Sequence, residues 1–125
     1  MNEDGSVNKT SIADIEPFTT KDGSIIRELM HPDTHGNHNQ SLAEATISAG
    51  HITRLHKHYC SEELYFVTQG EGEMTLGNRK FLVNTGDTIL ISPGTPHQIE
   101  NIGDLDLKIL CCCSPSYSDA DTELI

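Results

Sequence analysis

The chain has no tryptophan, three Phe and three Tyr, and only eight Lys and Arg against nineteen Asp and Glu. Each shortage excludes something. With a formal charge of −11 and no basic cluster beyond Arg79-Lys80, nucleic acid is excluded as a partner, because phosphate backbones are held by basic patches. No apolar run approaches the roughly 20 residues of a membrane helix. Met1-Asn-Glu-Asp-Gly-Ser6 also lacks the basic and apolar regions of a secretory leader. No membrane partner is therefore expected, and the cytoplasm is the expected location. The four cysteines, Cys60 and the run Cys111-Cys112-Cys113, lack the Cys-x-x-Cys spacing of a structural zinc site. Neighbours on a strand point to opposite faces, so the run cannot converge on one ion and reads as small apolar residues of a buried strand. Cys60, between His58 and Glu63, reads as a rim residue.

Helical periodicity is missing as well. Short alternating runs appear instead: Ser24–Met30, Ser41–Ser48, Arg54–His58, Glu63–Gln69, a hairpin of Glu73–Leu76 and Lys80–Val83 about Gly77-Asn78, then Thr88–Ser92, His97–Ile102 and Leu105–Cys113. Short strands at regular spacing, with Gly and Pro between them, indicate an all-β sandwich or jelly roll. Residues 1–20 read as a flexible arm, 21–113 as the folded β-domain, and 114–125 as an acidic tail that packs on the surface or wanders. His31-Pro-Asp-Thr-His35-Gly-Asn-His38 reads as a polar loop lying in solvent or at a cavity mouth rather than as a metal site.

His56 and His58 stand two apart in an extended stretch, so both imidazoles leave one face of a strand. Glu63 opens the next strand after a four-residue turn, and a carboxylate joins the imidazoles if that strand folds back beside the first. His97 follows the rigid Pro93-Gly94 turn. Three neutral nitrogens and one anionic oxygen suit a divalent transition metal.

These segments resemble the two motifs of the cupin superfamily. Gly50, His56, His58, Glu63 and Gly70 match the first, which is Gly, five residues, His-x-His, three or four residues, Glu, six residues, Gly. Gly86, Gly94, His97 and Asn101 match the second, with Ser92 where a proline is usual. Only Glu63, not Glu62, leaves six residues before Gly70, so Glu62 is read as a solvated neighbour. The resemblance implies a double-stranded β-helix, a jelly-roll barrel of two antiparallel sheets. It also implies that His56, His58, Glu63 and His97 ligate one divalent ion (Zn, Fe, Mn or Ni). Tyr65 shares strand parity with Glu63, and in cupin lyases and isomerases a tyrosine so placed acts near the substrate. A metal neighbour would lower its pKa toward phenolate chemistry.

The expected function is a metal-dependent isomerase, lyase or dioxygenase acting on a small polar metabolite such as a sugar derivative. The alternative is a metal- and ligand-binding sensor module without turnover. Arg27 and Arg54, on strands, are candidates to hold a substrate carboxylate. A homodimer is expected from exposed strand edges, with Leu64 and Leu82 as apolar contacts.

Overall fold

The computed structural model describes residues 4–125. The first three residues of the expected arm and of the N-terminal hexapeptide lie outside the described residues. Among the described residues eleven strands form: β1 Phe18–Thr19, β2 Ile25–Met30, β3 Ser41–Ile47, β4 His56–His58, β5 Glu62–Gln69, β6 Glu71–Leu76, β7 Arg79–Asn84, β8 Thr88–Ile91, β9 His97–Asn101, β10 Leu107–Ser114 and β11 Thr122–Leu124. They pair antiparallel into a six-stranded sheet, β1-β2-β3-β10-β5-β8, and a five-stranded sheet, β11-β4-β9-β6-β7. The expected all-β jelly roll of two antiparallel sheets is what the chain adopts.

The period of two explains how the sheets share a core. Along β5, Glu63, Tyr65 and Val67 are buried while Glu62, Leu64, Phe66 and Thr68 are exposed. β10 alternates likewise, sending Leu107, Ile109, Cys111 and Cys113 inward. One end of the interior is apolar, with Val67, Met74, Val83, Ile91, Ile99, Leu107 and Ile109 almost wholly removed from water. The other end carries the polar groups.

Two glycine-dependent features hold β9 in place. Gly94 has φ +80, a left-handed conformation that a Cβ disfavours. Its N–H donates to the His58 carbonyl at 2.7 Å, tying the turn before His97 to β4. Gly72 has no such φ, but a Cβ there would lie 2.8 Å from the Glu100 carbonyl, so β6 approaches β9 too closely for a side chain. Asn101, the last residue of the second motif, anchors a loop: its Nδ2 donates to the Ile47 and Leu105 carbonyls, and its Oδ1 accepts from Gly103 N.

Ordered pairing reaches past both expected boundaries. Phe18 and Thr19 pair with Ile26 and Ile25. At the other end Thr122, Glu123 and Leu124 pair with His58, Lys57 and His56. The physical reason is the edge of β4: only three residues long, it would otherwise present bare N–H and C=O groups. The loop expected at His31–Asn39 also holds one turn of helix, Pro32–His35. Pro32 opens it, His31 Nδ1 caps Asp33 N, and Gly36 closes it in the left-handed conformation. His31 is buried, with Nε2 2.7 Å from the Tyr117 carbonyl, rather than solvated or at a cavity mouth.

Candidate metal centre

β4 sends His56 and His58 inward from the five-stranded sheet, and β9 sends His97 inward from the strand beside it. His56 and His97 are direct register partners. Each of the three imidazoles offers one nitrogen, these nitrogens lie within 4.8 Å of one another, and the cluster could hold a metal ion. Glu63 comes from the opposite sheet, not from a strand folded back beside β4. Its Oε1 crosses the interior to lie 3.3 Å from His58 Nε2 and 3.5 Å from His97 Nε2. The turn between His58 and Glu62 therefore carries the chain from one sheet to the other. Glu62 faces solvent.

Hydrogen bonds behind the rings decide which nitrogens face the centre. His56 Nδ1 is 2.8 Å from the Arg54 carbonyl and His97 Nδ1 is 2.9 Å from the Thr95 carbonyl. A carbonyl only accepts, so both Nδ1 atoms carry the proton. His58 Nδ1 is 2.9 Å from Thr122 Oγ1, whose own proton goes to the Ser118 carbonyl at 2.8 Å. Thr122 must then accept, and His58 Nδ1 also donates. In the neutral rings all three Nε2 atoms are lone pairs aimed inward. Glu63 Oε1 meets two of them, those of His58 and His97, as a fourth acceptor, while Glu63 Oε2 takes a weak S–H bond from Cys113 Sγ at 3.3 Å.

An arrangement of acceptors without donors is costly when buried. Glu63 Oε1 and His97 Nε2 have no hydrogen-bond partner, and each such atom costs on the order of 1–3 kcal/mol. A cation shared by these lone pairs removes that cost, so the residues present fit a divalent ion. Backbone and hydroxyl acceptors behind each ring are also the usual way in which metal-binding imidazoles are oriented.

Electrostatics follow from burial. Burial, and next the neighbouring His97, pull His56 below the ordinary imidazole value against the attraction of Asp22. Burial pushes the Glu63 carboxyl up, but without a metal the close approach of the His58 and His97 imidazoles outweighs burial and holds the group at about 2. Tyr65 is buried, its ring centroid 6.1 Å from that of His97. Burial, then the Glu63 carboxylate, pushes its phenol well up rather than down. Without a metal Tyr65 is thus a neutral O–H donor. Burial likewise raises the Cys111 and Cys113 thiols, which line the wall as inert groups.

A cavity opens onto this centre. Its walls include Phe18, Ile26, Ala43 and Ala45 on the apolar side. Asp22, Glu28, Ser41, Tyr65, Tyr117 and Thr122 supply the polar side. Arg27 and Arg54 are not among the lining residues, and neither is the exposed Cys60. Asp22, Tyr117 and Thr122 were not singled out in the sequence. The one local signal was Thr20-x-Asp22-x-Ser24, hydroxyls flanking an aspartate in a turn, which says nothing about where the turn faces.

Residues 43–113 match the family model described as "Cupin domain". An uncharacterized protein of Methanocaldococcus jannaschii is 58% identical over 117 residues, 94% of each chain. An oxalate-binding protein of Thermotoga maritima is 31% identical over 86 residues, covering 69% of this chain and 67% of that one. Among solved structures, the Streptomyces protein PAC13 with uridine aligns over 96% of this chain and 91% of its own. Its TM-score is 0.79 at 16% identity.

Proposed function

Because the chain belongs to the cupin domain family, we propose that it is a metal-dependent isomerase or lyase for a small, neutral, hydroxyl-bearing molecule. His56, His58, His97 and Glu63 would hold one divalent transition-metal ion. The observation that carries this reading is the set of four inward-facing acceptors, two of them buried and unpartnered, at the end of a cavity. The ion supplies Lewis acidity toward a substrate oxygen.

The protein's own groups support the choice of substrate and reaction. Among the described residues lining the cavity there is no Lys or Arg, so no side chain is available to neutralise a carboxylate or phosphate on the ligand. Hydroxyls and carboxylates line it instead and match the hydroxyls of a sugar-like molecule, while Phe18 and Ile26 cover its apolar face. Tyr65, kept neutral by burial and by Glu63, donates a hydrogen bond to substrate oxygen. Glu28 accepts from a substrate hydroxyl. Groups that donate and accept protons around a bound oxygen are the requirement of isomerisation and elimination.

A homodimer belongs to the same reading, supported by the outer face of the six-stranded sheet. Leu42, Cys112, Leu64 and Leu90 fall in one row across β3, β10, β5 and β8, and the three leucines are exposed. Leu82 lies on β7 of the other sheet and does not join them.

Protein purified without added metal is expected to contain about one transition-metal ion per chain, and His58→Ala to lose both the ion and thermal stability. In a thermal-shift panel, neutral polyols or sugar derivatives are expected to raise the melting temperature of the metal-loaded protein more than dicarboxylates do. Metal-free protein with His58→Ala unchanged in both measurements would remove the basis of the reading. Stabilisation by a neutral sugar without turnover would identify a binding module instead.

A further inference from the structure

Asp22 lies in the turn between β1 and β2, far in sequence from either histidine motif. Its two carboxylate oxygens have unlike surroundings. Oδ1 accepts three hydrogen bonds from its own turn: Thr20 Oγ1 at 2.7 Å, Ser24 N at 2.9 Å and Ser24 Oγ at 2.6 Å. Oδ2 takes none of these and points at His56 Nε2, 3.6 Å away. The Asp22 carbonyl also accepts from Arg54 N at 2.7 Å, so the turn is tied to the segment that enters β4.

That contact sets acceptor against acceptor. His56 Nδ1 carries its proton toward the Arg54 carbonyl, which leaves Nε2 as a lone pair facing a carboxylate oxygen. At 3.6 Å the two are too far apart for a direct hydrogen bond and are suitably spaced for a cation beside both. Three donors pinning Oδ1 hold Oδ2 in that position before anything binds, the arrangement expected of a preorganised ligand group. Charge agrees: with Glu63, a second carboxylate would balance a divalent ion held among buried imidazoles.

We propose that Asp22 is a further member of the metal-binding group, its Oδ2 engaging the ion on the His56 side either directly or through one bound water. This rests on the metal reading above. Asp22→Asn tests it sharply, because the amide oxygen can keep the Thr20 and Ser24 bonds. The amide N–H then faces His56 Nε2 and presents a donor where the ion needs an acceptor.

The experiment is equilibrium dialysis of the full chain against Mn²⁺ and Zn²⁺ alone, with bound metal quantified, alongside melting of the chelator-treated proteins. The wild type is expected to bind one ion. D22N is expected to bind at least about tenfold more weakly, the range seen when groups around metal ligands are removed. Its metal-free melting temperature should be equal or higher, whereas a merely structural aspartate would give a lower one. Asp22→Ser, which caps the turn but cannot reach His56, serves if D22N fails to fold, and the same loss is expected. Metal affinity within threefold of the wild type in a folded variant overturns the role of Asp22 and leaves the metal reading standing. A wild type that binds neither ion overturns both.

Discussion

Glu63 is the residue on which the centre turns, because it crosses from one sheet to the other to meet two of the imidazoles. Its behaviour without metal is a linkage question. The carboxyl, ordinarily at 4.5, is held at about 2 in the fold. A depressed folded-state value means stability that is fully present above the unfolded value and is lost as pH falls through the folded one. Melting of chelator-treated protein is therefore expected to show a gap between wild type and Glu63→Gln that narrows as pH drops from 4.5 toward 2. A gap of constant size across that window would show that the imidazoles do not hold the carboxylate.

At the scale of elements, β11 has the clearest task. It covers the edge of β4 and brings Thr122 behind His58. Around it, Asp121 accepts from Cys60 N and Ser61 N at 2.8 and 3.0 Å. Lys21 Nζ donates to the Asp119 and Thr122 carbonyls at 2.8 and 3.0 Å. The C-terminal segment is thus fastened both to the turn after β4 and to the turn that carries Asp22. Thr122→Val keeps the shape but removes the acceptor for His58 Nδ1–H, leaving a buried donor unpaired. Metal affinity is expected to fall about tenfold, and Thr122→Ser to recover most of it. Equal metal affinity in the valine and serine variants would show that this hydrogen bond does not orient the ring.

At the scale of the whole molecule, a charge of −11 opposes association, while the outer row Leu42, Cys112, Leu64 and Leu90 offers the apolar face on which the proposed dimer would form. Singly exposed leucines are ordinary, but a contiguous row across four neighbouring strands marks an interaction surface. Light scattering is expected to report a dimer, and Leu64→Glu a monomer with an unchanged far-ultraviolet spectrum. A wild type that stays monomeric at high concentration would sink this arrangement.

The periods and spacings along the chain were enough to read the all-β class, the inward parity of Glu63 and Tyr65, and the common face of His56 and His58. These are local properties: a strand's alternation is set by its own backbone, whatever lies across from it. Only the tertiary structure decided which strands are neighbours. The sequence suggested Glu63 on a strand beside the first two histidines, whereas β9, which carries His97, adjoins β4 and β5 faces them from the other sheet. Pairing between strands depends on contacts many residues apart, and no short window contains them. For the same reason Asp22, Tyr117 and Thr122 were invisible as site residues. Each sits in an unremarkable turn or tail, and only the closing of the barrel brings it to the histidines.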